Sequence, residues 1–267
     1  MENSDVSQFL LFGRTQKLLF VLCGGGWAIA MGVVASIAVL INELHNDWGL
    51  SYSILSILPM FNMFGIFLGS NAWGMIADRY GRMYAFKPAL LICTVSLAIS
   101  VFSVNFYMLA CIFPFIGFGL AGSLAVDGAV FLEYCPKDKA YLLTGMSVVC
   151  AFGGMYATGS AWLLSTLNVP DLWRYVLGVN SILCLCIVIP RFWVKETPMF
   201  LASRGKFNEA AGVLRLINSE SVDENALKTI NFNENNGKIL RLTEQVKVLF
   251  RPPLKRLMIL YLLVRII

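Results

Sequence analysis

Long apolar segments alternate with short polar segments over the first 194 residues of the chain. A helix needs about 20 mainly apolar residues to cross the hydrocarbon core of a bilayer. Each segment is predicted to be a helix, because backbone polar groups inside a bilayer must be satisfied within the segment and the alternation of a barrel strand is absent. Six segments are long enough to span: residues 18–41, 52–76, 84–103, 106–132, 142–165 and 173–194.

The amino-acid composition leads to the same conclusion. Hydrophobic residues make up 58% of the chain and charged residues 14%, whereas a soluble domain carries about 25% charged residues. We therefore predict an integral, multi-pass membrane protein of the all-α class, with a six-helix transmembrane bundle at residues 18–194 behind a polar tail at 1–17. Residues 257–267 are also apolar but too few to span, and we expect them to be the truncated start of a seventh span.

Lysine and arginine are distributed unevenly between the two sides of the predicted spans. Nineteen of the 21 fall on one side when Arg191 is counted with the loop that follows the sixth span. Arg174 is the exception on the opposite side, and Arg265 lies in the seventh apolar run. Since cytoplasmic loops carry an excess of Lys and Arg, we predict a cytoplasmic N-terminus in a plasma membrane or an internal, vacuolar or vesicular, membrane.

The segment at residues 195–256 is more polar than the spans and is predicted to form a cytoplasmic loop with short helices and a linker. Thr197 suits an N-cap and Pro198 suits the first helical turn. Residues 207–217 have the apolar spacing of an amphipathic helix. Residues 241–256 are basic, and they either bind anionic lipid or serve as a solvated connector.

A charged turn separates the second and third predicted spans. It contains Gly74, Asp78, Arg79, Gly81 and Arg82. The two glycines allow close approach of the backbone and unusual dihedral angles. The three charged side chains place fixed charge of both signs at a junction between two helices, so this turn is a candidate cytoplasmic gate.

Asp127 is the one carboxylate well inside an apolar run. An ionisable group within a span suggests a solute pathway or a proton relay. The alternative is a structural role, as a hydrogen-bond partner or as half of a gating ion pair. Glu133 lies six residues further on, at the predicted cytoplasmic edge, where an ion pair with Arg82 or Arg79 is the favoured interpretation.

Several other side chains inside the spans are candidates for the wall of an aqueous cavity. Trp27 follows three glycines and either stacks on a solute or packs against its neighbours. The polar candidates either line the pathway or bond to their own helix backbone; they include Asn62, Ser123 and Tyr156. Gly65 and Gly69 have the spacing of a small-residue packing face between helices.

The sequence contains no constellation typical of an enzyme. It has one histidine, no spaced Cys/His metal set, no nucleophile elbow and no phosphate-binding loop. No catalytic residue, metal or cofactor is therefore predicted. The net charge of +5 is accounted for by the basic loops and requires no nucleic acid.

Taken together, these motifs resemble the major facilitator superfamily. The turn from Gly74 to Arg82 is similar to the signature loop between the second and third spans of that superfamily. Glu196-Thr197-Pro198 resembles the motif that follows the sixth span of sugar porters. Residues 117–136 resemble the fourth span of the synaptic-vesicle-related (SVOP-like) branch, especially its fungal members. Two departures are the absence of an acid after Gly26-Trp27 in span 1 and the presence of Phe113 where an arginine is usual.

The resemblance implies the N-terminal half of a twelve-span fold, built as two three-helix repeats. It also implies transport of a small organic solute, such as a sugar, a carboxylate or an organic ion, by alternating access, with Asp127 as the remaining candidate for proton coupling. Because a single half lacks the opposite wall of the cavity, we expect the chain to need a C-terminal half or a partner chain for transport. The alternative is a non-transporting scaffold or regulatory half-transporter.

Overall fold

The computed structural model describes residues 13–167 and 169–218. Within these ranges the protein is entirely helical, and six helical segments are long and apolar enough to cross a membrane. The predicted six-span, all-α fold class is confirmed. The membrane-length helices are α1 (Arg14–Trp48), α3 (Ile57–Tyr80) with the short α2 (Tyr52–Leu55) leading into it, α4 (Arg82–Val101), α5 (Phe106–Tyr134), α6 (Leu142–Thr166) and α7 (Leu172–Arg191).

Helices α1 and α5 occupy the middle of the bundle. Helix α3 packs mainly on α5, and α6 packs mainly on α1, while α4 and α7 contact each other as well as α5 and α1 respectively. The order α3–α5–α1–α6 therefore forms one face of the bundle. The most apolar windows of α1 and α5 are 50% and 61% buried, against 28% for α2–α3 and 17% for α6. The two edge helices of this face thus have the least cover.

Glycines set the closest helix contacts, as the predicted packing face requires. A Cβ atom on Gly65 would collide with the carbonyl oxygen of Pro114, and one on Gly69 with that of Phe118. On the other side of the bundle, a Cβ on Gly153 would collide with the carbonyl oxygen of Ala28. Small residues let helix backbones approach closely in a bilayer, so these positions fix the α3–α5 and α1–α6 spacings.

Two short helices follow the sixth span, as the sequence predicts. They are α8 (Pro198–Ser203) and α9 (Phe207–Asn218). The Thr197 hydroxyl accepts a hydrogen bond from the Phe200 backbone N–H at 3.3 Å, and Pro198 occupies the first helical turn. Ala211 and Leu214 are buried on the inner side of α9.

Some predictions concern residues that lie outside the described ranges. These are most of the N-terminal tail, the linker after α9, the basic segment 241–256 and the seventh apolar run 257–267. The boundaries assigned to the four segments of the chain remain predictions.

Candidate functional site

Asp127 on α5 forms a buried ion pair with Arg191 at the end of α7. Arg191 Nη1 donates to Asp127 Oδ1 at 3.0 Å, and Nη2 donates to Oδ2 at 2.5 Å. Both side chains have 0% exposed surface. A two-point contact of this kind fixes the carboxylate and the guanidinium in one geometry, which favours the ion-pair interpretation of Asp127 that the sequence leaves open.

The Arg191 guanidinium also contacts two further elements of the bundle. It donates to the Leu22 carbonyl oxygen on α1 at 3.0 Å and to the Phe86 carbonyl oxygen on α4 at 3.2 Å. Its Cζ lies 4.1 Å from the centroid of the Phe86 ring. Through the bond to Asp127 it reaches α5, so this one side chain connects α1, α4, α5 and α7.

The placement of Arg191 corrects the sequence interpretation. The sequence pattern assigns Arg191 to the loop after the sixth span, but it belongs to the last turn of α7 and is fully buried. A signal was present, because Arg191 falls inside the apolar run 173–194. A carboxylate inside one span needs a cation from another, and Arg191 is one of the basic residues that fall within a neighbouring run.

The packing around the ion pair explains one of the three consecutive glycines in α1. A Cβ on Gly26 would collide with both Arg191 Nη2 and Asp127 Oδ2. Trp27 follows it and donates from Nε1 to the Ser123 carbonyl oxygen at 3.3 Å. Ser123 is itself buried, with its hydroxyl oxygen 3.5 Å from Arg191 Nη1. Trp27, Ser123 and Asp127 are thus brought together at the α1–α5 contact.

Tyr156 belongs to a different hydrogen-bonded chain. Its hydroxyl donates to Asn180 Oδ1 at 2.7 Å, and Asn180 Nδ2 donates to the Ser36 hydroxyl at 2.9 Å. Ser36 in turn donates to the Gly32 carbonyl oxygen at 2.8 Å. This chain links α6, α7 and α1, so the Tyr156 hydroxyl is used for contacts between helices.

Asn62 on α3 is a buried polar residue of another kind. Its side chain has 0% exposed surface, and neither amide atom has a hydrogen-bond partner among the described residues. A buried polar group without a partner costs about 1–3 kcal/mol. Buried polar groups without a partner are often found at sites where a function requires the polar group.

The charged turn forms an ion-pair network with the end of α5. Arg82 Nη1 pairs with Asp78 Oδ1 at 2.5 Å, and Arg82 Nε pairs with Glu133 Oε1 at 2.8 Å. Glu133 Oε2 accepts a hydrogen bond from the Thr197 hydroxyl at 2.6 Å. The anticipated ion pair of Glu133 with Arg82 is present, and it connects the α3–α4 turn to the end of α5 and the start of α8.

Glu196 completes this network at the start of α4. Its carboxylate accepts from the backbone N–H groups of Arg82 at 3.0 Å, Met83 at 3.2 Å and Thr197 at 3.1 Å. Burial raises the pKa of Glu196, and the three backbone donors act in the opposite direction. No side chain of α4 caps its own N-terminus, so a residue 114 positions away does so. Sequence spacing alone gave no signal for this contact.

The two glycines of the turn behave differently. Gly81 has φ 127°, a left-handed backbone conformation that favours glycine, and a Cβ there would meet the Glu196 carboxylate. Gly74 has no atom of the described residues within 4 Å of its Cβ position, so the expected close approach is absent at this glycine. The Arg204 guanidinium contacts the same turn, where it donates to the carbonyl oxygen of Arg79 at 2.7 Å.

Comparison with known proteins identifies the family. Residues 32–265 match the profile of the family "Sugar (and other) transporter". The chain belongs to this sugar transporter family of the major facilitator superfamily. The predicted resemblance is confirmed.

Relatives within the family cover fungal and animal proteins. The chain is 31% identical to the MFS siderochrome iron transporter 1 of Ceriporiopsis subvermispora, over 77% of this chain and 42% of that protein. It is 25% identical to the bovine synaptic vesicle 2-related protein, over 81% of this chain and 39% of that protein. The chain thus spans less than half the length of these relatives.

A solved structure shows the same fold. The xylose transporter XylE of E. coli, in a partially occluded inward-open conformation, superposes with a TM-score of 0.73 at 19% sequence identity. The match covers 84% of this chain and 60% of XylE. At this identity the similarity establishes the fold, which is that of the N-terminal half of a sugar transporter.

Proposed function

We propose that this chain forms one six-helix half of a transporter that moves a small organic solute across a bilayer by alternating access. The second half comes from further sequence of the same polypeptide or from a partner chain. Two halves are needed because family members bind solute near the midplane, between their halves. The alignment with 42% of the length of a full relative supports this assignment.

The observation that carries the proposal is the low cover of α3 and α6, the two edge helices of the α3–α5–α1–α6 face. Phe67 on α3 is 65% exposed and Met155 on α6 is 65% exposed. Gly74 lies on α3 with open space at its Cβ position. We assign the second half to this face, with α3 and α6 as the edges that it contacts and α1 and α5 as the wall of the solute pathway.

The solute belongs to the class of sugars, carboxylates or organic ions. Trp27 is half-buried at the α1–α5 contact, and we assign it the role of stacking on the solute. Asn62 is the polar group with unused hydrogen-bonding capacity, and a rearrangement of α3 would bring it to the pathway. Ser123 and Tyr156 are assigned supporting roles, because their contacts lie between helices.

The network of Asp78, Arg82, Glu133 and Thr197 is proposed as the cytoplasmic gate. Basic residues at the same end of the bundle include Arg14 and Lys17, whereas Arg174 is the one basic residue that the described ranges place at the other end. The positive-inside rule then assigns the end that carries α8 and α9 to the cytoplasm. Movement of the second half against the α3–α4 turn would break and reform these contacts.

Asp127 is proposed to keep its ion pair with Arg191 throughout the transport cycle. Each oxygen of the carboxylate is held by a separate nitrogen, and neither side chain reaches solvent. Protonating Asp127 would leave Arg191 as an uncompensated buried charge, which is costly. Asp127 is therefore not assigned a role in proton coupling.

Uptake of labelled solutes by proteoliposomes tests the proposal. The chain, joined to a second six-span half from a relative, is assayed with a monosaccharide, a monocarboxylate and an organic cation. We expect saturable uptake of at least one class, and a reduction of tenfold or more in Arg82→Gln. Lys206→Gln, which alters an exposed ion pair at the same end, is the matched control. Absence of uptake for every class, with the protein folded, would contradict the assignment.

A further inference from the structure

The exposed side of α7 is a lipid-facing stripe with defined ends. Ile182, Leu185 and Ile189 are 64%, 45% and 49% exposed along it. Tyr175 at one end is 51% exposed and Trp193 just beyond the other end is 76% exposed. Aromatic rings of this kind mark the two interfaces of a bilayer. Trp193 follows Tyr175 by 18 positions, a helical rise of about 27 Å that is close to the hydrocarbon thickness of about 30 Å. This separation places Trp193 at a membrane interface.

A groove of about 270 Å³ opens beside Trp193. Its walls come from the start of α1, the ends of α5 and α7, and the outer edge of α9, and they include Leu18, Leu19, Tyr134, Pro190, Val213 and Leu216. Leu18 is 49% exposed and Leu216 is 64% exposed. Apolar surface of this extent at the level of the interface favours contact with hydrocarbon over contact with water.

One cation lines the same groove, and a second lies on the same face of α1. Lys195 contributes to its lining and is exposed. Arg14 is exposed and lies one helical turn before Leu18, on the same face of α1. Two carboxylates at this end are engaged elsewhere: Glu196 accepts from the backbone of α4, and Glu209 pairs with Lys206 at 3.0 Å.

We propose that this groove is a binding site for an anionic phospholipid. One acyl chain lies along Leu18, Pro190 and Leu216, and the negatively charged headgroup contacts Lys195 and Arg14. The charge complementarity and the depth of Trp193 together select this occupant, since a soluble partner would not reach the hydrocarbon level. The site is separate from the α3–α5–α1–α6 face and does not depend on the transport proposal.

Quenching of tryptophan fluorescence by brominated lipid tests this site in the full 267-residue chain. The protein is placed in nanodiscs with either brominated phosphatidylserine or brominated phosphatidylcholine as a minor component. The contribution of Trp193 is the difference between the wild type and Trp193→Phe. We expect phosphatidylserine to quench Trp193 more strongly than phosphatidylcholine does. In Lys195→Gln the ratio of the two quenching efficiencies should fall about fivefold, because one cation near an anionic headgroup is lost.

Lys206→Gln is the matched control, because Lys206 lies at the same end but outside the groove. Unchanged preference in this variant, with reduced preference in Lys195→Gln and in Arg14→Gln, supports the site. Equal quenching by the two lipids would overturn it. Absence of quenching at Trp193 by either lipid would also overturn it.

Discussion

Arg191 donates hydrogen bonds to both carboxylate oxygens of Asp127, at 3.0 and 2.5 Å, and connects α7 to α5 in the interior of the bundle. Neither residue has exposed surface. The pair therefore brings two charges into a region that is otherwise apolar, and each charge is compensated chiefly by the other.

Removing one member of this pair should destabilise the protein more than removing both. Asp127→Leu or Arg191→Met alone leaves an uncompensated buried charge, and we expect a loss of about 3–5 kcal/mol in the free energy of unfolding. The double variant should recover part of that loss. Thermal unfolding in detergent measures the three proteins, with Asp171→Asn as a control because Asp171 is largely exposed. A double variant less stable than both single variants would contradict this account.

Asn62 and Asn180 form a matched pair of buried amides with opposite hydrogen bonding. Asn62 has no partner among the described residues, whereas Asn180 bonds to Tyr156, Ser36 and Val176. Asn62→Leu should raise the stability by about 1–3 kcal/mol. Asn180→Leu should lower it by about 0.6–1.7 kcal/mol. If unfolding measurements show Asn62→Leu to be less stable than Asn180→Leu, the amide of Asn62 has a hydrogen-bond partner in the protein and this account is contradicted.

Two adjacent glycines in α6 provide a test of helix packing. A Cβ on Gly153 would collide with the Ala28 carbonyl oxygen on α1, while one on Gly154 would meet no atom within 4 Å. Gly153→Ala should therefore force α1 and α6 apart and cost about 1–3 kcal/mol. Gly154→Ala should leave stability unchanged or slightly increased. The comparison uses the same unfolding assay, and equal effects at both positions would contradict the assigned α1–α6 contact.

The sequence carried enough information to predict the six spans and the α8–α9 pair. Periodicity and hydropathy report burial and length, and Thr197 with Pro198 marked the start of α8 correctly. The ion pair of Glu133 with Arg82 was also anticipated, because both residues fall at predicted ends on the same side. These features depend on local sequence pattern, or on the fact that successive spans end on alternating sides of the membrane.

Contacts between segments that are distant in the sequence could not be predicted from local pattern. The position of Arg191 near the end of an apolar run predicts a loop residue, and only the packing of α7 on α1 and α4 shows it to be interior. Tyr156 is a candidate for the cavity wall, and the sequence does not show that its hydroxyl donates to Asn180. Which face of each helix packs against its neighbours depends on contacts between distant segments, and local sequence pattern does not report these contacts.

Glu196 should make the stability of the protein depend on mildly acidic pH. Burial raises its pKa in the folded state above the unfolded value, so the folded protein binds this proton more readily than the unfolded chain. Its titration therefore favours the folded state as the pH falls through the raised pKa, and this contribution is lost as the pH rises. Glu196→Gln removes the titrating group and is the reference.

The measurement is the difference in unfolding free energy between the wild type and Glu196→Gln across the range from neutral to mildly acidic pH. We expect the wild type to gain stability relative to the variant as the pH decreases. A relative gain with increasing pH would mean that the three backbone donors outweigh burial, and would reverse the assigned direction.

The central claim is that this chain is one half of a two-half solute transporter. The most direct measurement compares solute uptake by proteoliposomes that contain the 267-residue chain alone, a second six-span half from a relative alone, and the two halves joined. We predict saturable uptake for the joined protein and no uptake above protein-free liposomes for either half alone. Saturable uptake by the 267-residue chain alone, at a rate comparable to that of the joined protein, would contradict the claim.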